Sequence, residues 1–189
     1  MNRRERRKRI FNPAPQGEVI VDSGAWHENC SSNNVRHHTT FAETFQVEFW
    51  YDKHYWDRLH QGDEDGERVG IEFEFVEPLV IKSYKYLMYY SLKHKDLLFV
   101  NHPPPKERNR TLRVVLRQKF NNKATLNVVV EYHFISLNKV EATIVTAMSK
   151  DVFYLSDNQY TIEFDGNDST LYRYVNYKVV KVDSYNVEE

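Results

Sequence analysis

Cysteine is almost missing. Cys30 stands alone among 189 residues, so no intramolecular disulfide can form and a stapled extracellular scaffold is excluded. The expected compartment is therefore reducing and intracellular. No apolar run approaches the roughly 20 residues a spanning helix needs, so no membrane span is expected. Glycine is scarce too, with six in the chain and none between Gly70 and Gly166. No P-loop, dinucleotide fingerprint or nucleophile elbow occurs, and no spacing of Ser, His and Asp nominates a triad. No cofactor is expected, and the chain reads as a nonenzyme. Three N-x-S/T sequons begin at Asn29, Asn109 and Asn167. No signal peptide precedes them, so they read as chance.

Aromatic residues are plentiful, with 13 Tyr and 11 Phe. With valine, they favour pleated, half-buried surfaces. Period-two alternation then recurs along the chain. In residues 125–137, Leu126, Val128, Val130, Tyr132 and Phe134 share one face, while Asn127, Glu131 and His133 share the other with Val129 and Ile135. Similar alternation marks residues 45–51, 69–75, 80–90, 112–117, 140–144, 160–164 and 175–179. Residues 19–21, 97–100 and 152–155 complete about ten strand candidates, the spacing of a sandwich or barrel. Within residues 51–61, Tyr51, Tyr55 and Leu59 recur every fourth position, so one short helix is expected there. The predicted fold class is an all-β, antiparallel β sandwich.

Charge is unevenly distributed. Residues 1–9 carry Arg3, Arg4, Arg6, Arg7, Lys8 and Arg9 against the single acid Glu5. The other 180 residues hold 20 of the 26 basic and 26 of the 27 acidic side chains, a formal charge of −6. A cationic tip on an anionic body suits an arm that meets a polyanion. Pro13, Pro15 and Gly17 follow with little to bury, so residues 1–17 are expected to be a disordered arm and 18–189 a single β-sandwich domain. Without an apolar segment behind it, the start reads as an arm and not an export signal. The same string resembles a nuclear localisation signal, which would make a nuclear import receptor a partner. A second basic cluster comprises Lys106, Arg108, Arg110, Arg113 and Arg117. Arg113 and Arg117 either meet phosphate or pair with Glu72 and Glu74 across strands.

Three further strings bear on chemistry. In residues 19–25 an apolar strand runs into Asp22-Ser23-Gly24-Ala25, which resembles the active-site turn of retropepsin-type aspartic proteases. That resemblance implies Asp22 as one of two carboxylates sharing a proton. No Gly-rich flap follows, and a strand ending in a turn explains the string equally. His27, Cys30, His37 and His38 could supply zinc ligands, although adjacent histidines on a strand point to opposite faces. Asp63, Glu64, Asp65 and Glu67 around Gly62 and Gly66 form an acidic turn that either binds a hard cation or is simply a solvated loop.

An Arg-rich arm ahead of an all-β domain without catalytic motifs resembles the small single-jelly-roll coat proteins of icosahedral viruses. Residues 66–75 and 78–90, with Ile81-Lys82-Ser83, correspond loosely to the early paired strands of such coats. The resemblance implies a jelly-roll-like fold, self-association, a place in the virion as capsid protein, and nucleic acid held by residues 3–9. The arm is shorter and the body more acidic than in most such coats. Viral movement and matrix proteins share parts of this layout. The alternative reading is an intracellular β-sandwich interaction module whose arm directs nuclear import. Trp50, Trp56, Tyr89 and Tyr90 are either subunit contacts or core.

Overall fold

The computed structural model describes residues 26, 28–42, 46–61, 70–102, 111–120 and 124–186. The basic arm, the Asp22 turn, His27, the acidic turn at 62–67 and the run from Lys106 to Arg110 lie outside the described residues. Among the described residues, alternating apolar residues build nine strands: β1 (Val35–Ala42), β2 (Gln46–Asp52), β3 (Val100–Asn101), β4 (Val114–Phe120), β5 (Ala124–Ser136), β6 (Lys139–Ser149), β7 (Tyr160–Asp165), β8 (Asp168–Val175) and β9 (Lys178–Tyr185). The architecture is broadly all-β and sandwich-like, as the alternation predicts. All nine strands join one open, mixed sheet of order β1-β2-β6-β5-β4-β7-β8-β9, with β3 paired to β5 beside that path.

The pairing is not wholly antiparallel. β2 runs parallel to β6, β4 to β7, and β3 to β5. The short helix α1 (Lys53–Gln61) forms where the four-residue spacing of Tyr51, Tyr55 and Leu59 predicts it. Residues 73–93 depart from expectation, since the strands predicted at 69–75 and 80–90 are replaced by one helix, α2 (Phe73–Lys93). Its buried residues Val76, Leu79, Val80, Ser83, Leu87 and Tyr90 follow a helical period, and this face covers the apolar side of the sheet. Burial of that stripe outweighs the β propensity of its aromatic and β-branched residues. Pro78 lies inside α2 and leaves the Glu74 carbonyl without its helical donor, at a point where both residues are exposed.

Polar anchors orient α2. Ser83 donates to the Val80 carbonyl at 2.8 Å and meets the Tyr132 hydroxyl of β5 at 2.8 Å. Tyr86 and Tyr90 donate to the carbonyls of Asn167 and Ser169 around the β7–β8 turn. At the C-terminal end, Lys93 and His94 reach Asp183 of β9 at 2.7 and 2.8 Å. Residues 175–179, predicted as a strand, contain the β8–β9 turn, with Asn176 and Tyr177 at positive φ. Residues 152–155 are not a strand. β1 and β8 are not announced by the sequence, because His, Thr, Arg and Ser interrupt the alternation of their apolar residues.

Gly70 allows the chain to pass α1 closely. A Cβ there would lie 2.5 Å from Leu59 Cα and 2.7 Å from its carbonyl oxygen. Gly70→Ala is expected to cost about 1–3 kcal/mol by forcing backbone apart, read as a lower urea midpoint. An unchanged midpoint would mean that α1 is free to move away.

Candidate functional site

The two faces of the sheet differ in chemistry. Val47, Phe49 and Tyr51 of β2, Val140, Ala142 and Ile144 of β6, and Val128, Val130 and Tyr132 of β5 join α2 in the apolar core. The residues between them point the other way and include three glutamates: Glu48, Glu131 and Glu141 are 3%, 2% and 1% exposed. Strand register sets them in rows. Glu48 stands opposite Glu141, which stands opposite His133. In the next row Trp50 pairs with Thr143, and Thr143 with Glu131. A β-bulge at 129/130 against β6 ends this parity.

Buried carboxylates need compensation. Lys139 Nζ lies 2.5 Å from Glu48 Oε1, with both side chains buried. Arg113 Nε donates to Glu131 Oε1 at 2.7 Å, and His133 Nε2 lies 3.3 Å from Glu131 Oε2. Residues 28–34 strap this face. Asn29 Nδ2 donates to Thr143 Oγ1 at 2.7 Å, the Cys30 amide to Glu141 Oε2 at 3.3 Å, and Ser31 Oγ meets His133 Nε2 at 2.7 Å. Asn29 Oδ1 in turn accepts from the amides of Ser31 and Ser32, fixing the strap's turn.

Among the described residues Glu141 has no cation beside it, and its buried Oε1 has no hydrogen-bond partner there. Burial pushes its pKa up, and the charge of Glu48 adds to that. For Glu131 burial also pushes upward, but the hydrogen bonds from His133, Ser31 and Arg113 outweigh it and hold the pKa below the ordinary value. Ser31, His133 and Glu131 look like a nucleophile, base and acid, but the hydroxyl and the carboxylate both meet Nε2. A relay needs them at opposite ends of the imidazole.

The predicted site residues scatter. Arg113 and Arg117 use carboxylates of the sheet, although not Glu72 or Glu74. Arg117 lies 3.5 Å from Glu163, its register partner on β7, and donates to Asn127 Oδ1 at 3.0 Å. His37 packs edge-on against Trp50 on the polar face, while His38 stacks on Phe73 of α2 at 4.1 Å, so the two histidines diverge as expected. Among the described residues no group of three His, Cys, Asp or Glu is placed to hold a metal ion. Tyr90 is core, with Trp56 and Tyr89 packed against it, whereas Trp50 is buried on the opposite, polar face. Arg36 lies between the rings of Trp26 and Trp56, 4.7 Å from each. A groove of about 590 Å³ opens beside Tyr160, lined in part by Asp96, Arg113, Asn158 and Arg173. Sequence reasoning missed Glu48, Glu141 and Lys139 as a unit, because only the parallel β2–β6 pairing brings them together. No protein family, curated protein or solved structure matches the chain.

Two substitutions separate the glutamates. Glu48→Gln strands buried Lys139 and is expected to cost about 3–5 kcal/mol. Glu141→Gln removes only the uncompensated carboxyl and is expected to change stability at pH 7 by less than about 1 kcal/mol, or to raise it. Equal losses in urea titration would contradict this. Because the Glu141 pKa is raised, the folded state holds a proton that the unfolded state has released. Stability therefore falls as pH rises from 4.5 towards the raised value, and Glu141→Gln should abolish that slope. The opposite sign applies to Asp183, held down at about 2 by Lys93 first and then His94. Its contribution is present above pH 3.8 and is lost as pH falls towards 2; Asp183→Asn should flatten that acid limb.

Proposed function

We propose that this protein is a nonenzymatic structural protein that self-associates and holds nucleic acid, without sequence preference, through Arg3, Arg4, Arg6, Arg7, Lys8 and Arg9. The carrying observation is the division of charge. In the sheet, Arg113, Arg117 and Lys139 are engaged with Glu131, Glu163 and Glu48, whereas residues 3–9 place six cations beside one acid. A cation already paired with a carboxylate releases little counterion on meeting phosphate, while a dense basic run releases much. The role is that of the small coat proteins whose layout the sequence resembles, with the virion as destination. No helix among the described residues is long and apolar enough to cross a membrane.

A second reading, an interaction module with the arm as import signal for a nuclear import receptor, is favoured by the apolar residues exposed on α2, Ile81, Met88 and Leu92 among them. Assembly size separates the two, because a coat forms large symmetric particles and a module remains small.

Deleting residues 1–9 is expected to abolish salt-sensitive oligonucleotide binding while the urea midpoint stays put. For the full chain, log K should fall with log salt by about 0.7–0.9 per neutralised phosphate, for up to six phosphates. Tight binding by the truncated chain would contradict the proposal.

A further inference from the structure

The strap that covers the polar face is tied at both ends. Trp26, just ahead of it, packs edge-on against Tyr51 and Trp56 at 6.0 and 6.2 Å, with the Arg36 guanidinium over its ring. At the other end the Asn34 carbonyl accepts the Lys53 amide at 2.7 Å, where β1 begins. Between these ends the strap meets the sheet through Asn29, Cys30 and Ser31, which reach Thr143, Glu141 and His133. β2 and β5, which flank Glu141 within the sheet, are joined to β6 by backbone ladders instead.

Beneath the middle of the strap lies the Glu141 carboxyl, 1% exposed, bonded to Cys30 through Oε2 and without a partner at Oε1 among the described residues. The charges around it are committed elsewhere. Opposite it on β2 stands a second carboxylate, Glu48, which holds Lys139. Opposite it on β5 stands His133, whose Nε2 meets Ser31 and Glu131, and Glu131 also holds Arg113. The strap contributes another buried acid, Glu28, and on the β1 side His37 packs against Trp50. Burial and Glu48 together keep the proton on Glu141. Once ionised, the group is a buried charge that no described cation matches, and access to water relieves it.

Water has one inexpensive way in. Parting β2 or β5 from β6 breaks a backbone ladder and opens the apolar core behind it, whereas lifting the strap breaks a few side-chain hydrogen bonds. We infer that residues 28–33 are a pH-operated cover: when Glu141 gives up its proton, they lift from β5 and β6 and admit water to the carboxylate, while the sheet stays folded. The lifted state turns Thr143 and the three glutamates of this face to solvent. It is a local opening, distinct from the loss of global stability that the same proton brings.

Hydrogen exchange of the full chain, read by NMR from pH 4.5 upward, tests this at the Cys30 amide, whose acceptor is Glu141. After correction for intrinsic base catalysis, its protection is expected to fall about tenfold per pH unit between 4.5 and the raised Glu141 value, because lifting releases one proton. Glu141→Gln should remove that dependence. Thr143→Val, which takes away the Asn29 acceptor, should speed Cys30 exchange about fivefold at every pH and keep the slope. Low urea separates lifting from unfolding, since it speeds only exchange that exposes much new surface. The Cys30 amide should ignore it, and the amides of Val128 and Val130 in β5 should not. A flat profile in the parent, or a slope that survives Glu141→Gln, overturns Glu141 as the trigger. Cys30 exchange that tracks β5 in urea, or that Thr143→Val leaves unchanged, overturns the strap as the moving part.

Discussion

A buried glutamate must find a cation, a set of donors or a proton, and three of them on one face of a sheet constrain everything around them. Glu48 takes Lys139, and Glu131 takes Arg113 and His133. Glu141 takes an amide from the strap and lacks a cation among the described residues. The strap at residues 28–34 is thereby tied to β5 and β6 across more than 100 positions of sequence, by hydrogen bonds from Asn29, Cys30 and Ser31. The opposite face is mostly apolar and α2 covers it, with Ser83 meeting the buried Tyr132 hydroxyl. One sheet thus carries two kinds of stabilisation, apolar packing on one side and charge matching on the other.

That constraint bears on function. Basic side chains that look available in sequence are committed once the strands pair. Arg113 and Arg117 lie near the acids that register puts beside them, and their guanidinium groups help to satisfy the sheet. Arginines engaged in this way are poorly suited to gripping phosphate, which shifts the proposed polyanion contact to the first nine residues. Burial and the neighbouring Glu48 account for the raised Glu141 carboxyl and hydrogen bonds for the lowered Glu131, and the geometry of Ser31, His133 and Glu131 gives no relay.

Much of the fold was legible in the chain. β5, β6 and β7 were plain because apolar and polar residues alternate cleanly from Leu126 to Phe134, Val140 to Ile144 and Tyr160 to Phe164. α1 was legible from Tyr51, Tyr55 and Leu59. α2 was not, since Ile71, Phe73 and Phe75 alternate with Glu72 and Glu74, and Val80, Ile81, Tyr84, Tyr86, Tyr89 and Tyr90 carry β propensity. The helical period at 76, 79, 80, 83, 87 and 90 was present but weaker to the eye than the residue types. The acid cluster was illegible for another reason. Glu131 and His133 were visible as one strand face, but their burial depends on Asn29 to Ser31, and the partnership of Glu48 with Glu141 depends on a parallel pairing no local pattern announces. The burial of Tyr90 under α2 and of Trp50 on the polar face likewise depends on the assembled sheet.

The central claim is that the three glutamates of the polar face are compensated unequally, with Glu131 matched and Glu141 not. Carbon-13 NMR of the glutamate side-chain carboxyls through a pH titration reads this directly. The account predicts that Glu131 titrates below 4.5 and Glu141 above it. Both titrating together near 4.5, as solvated carboxyls do, would contradict it.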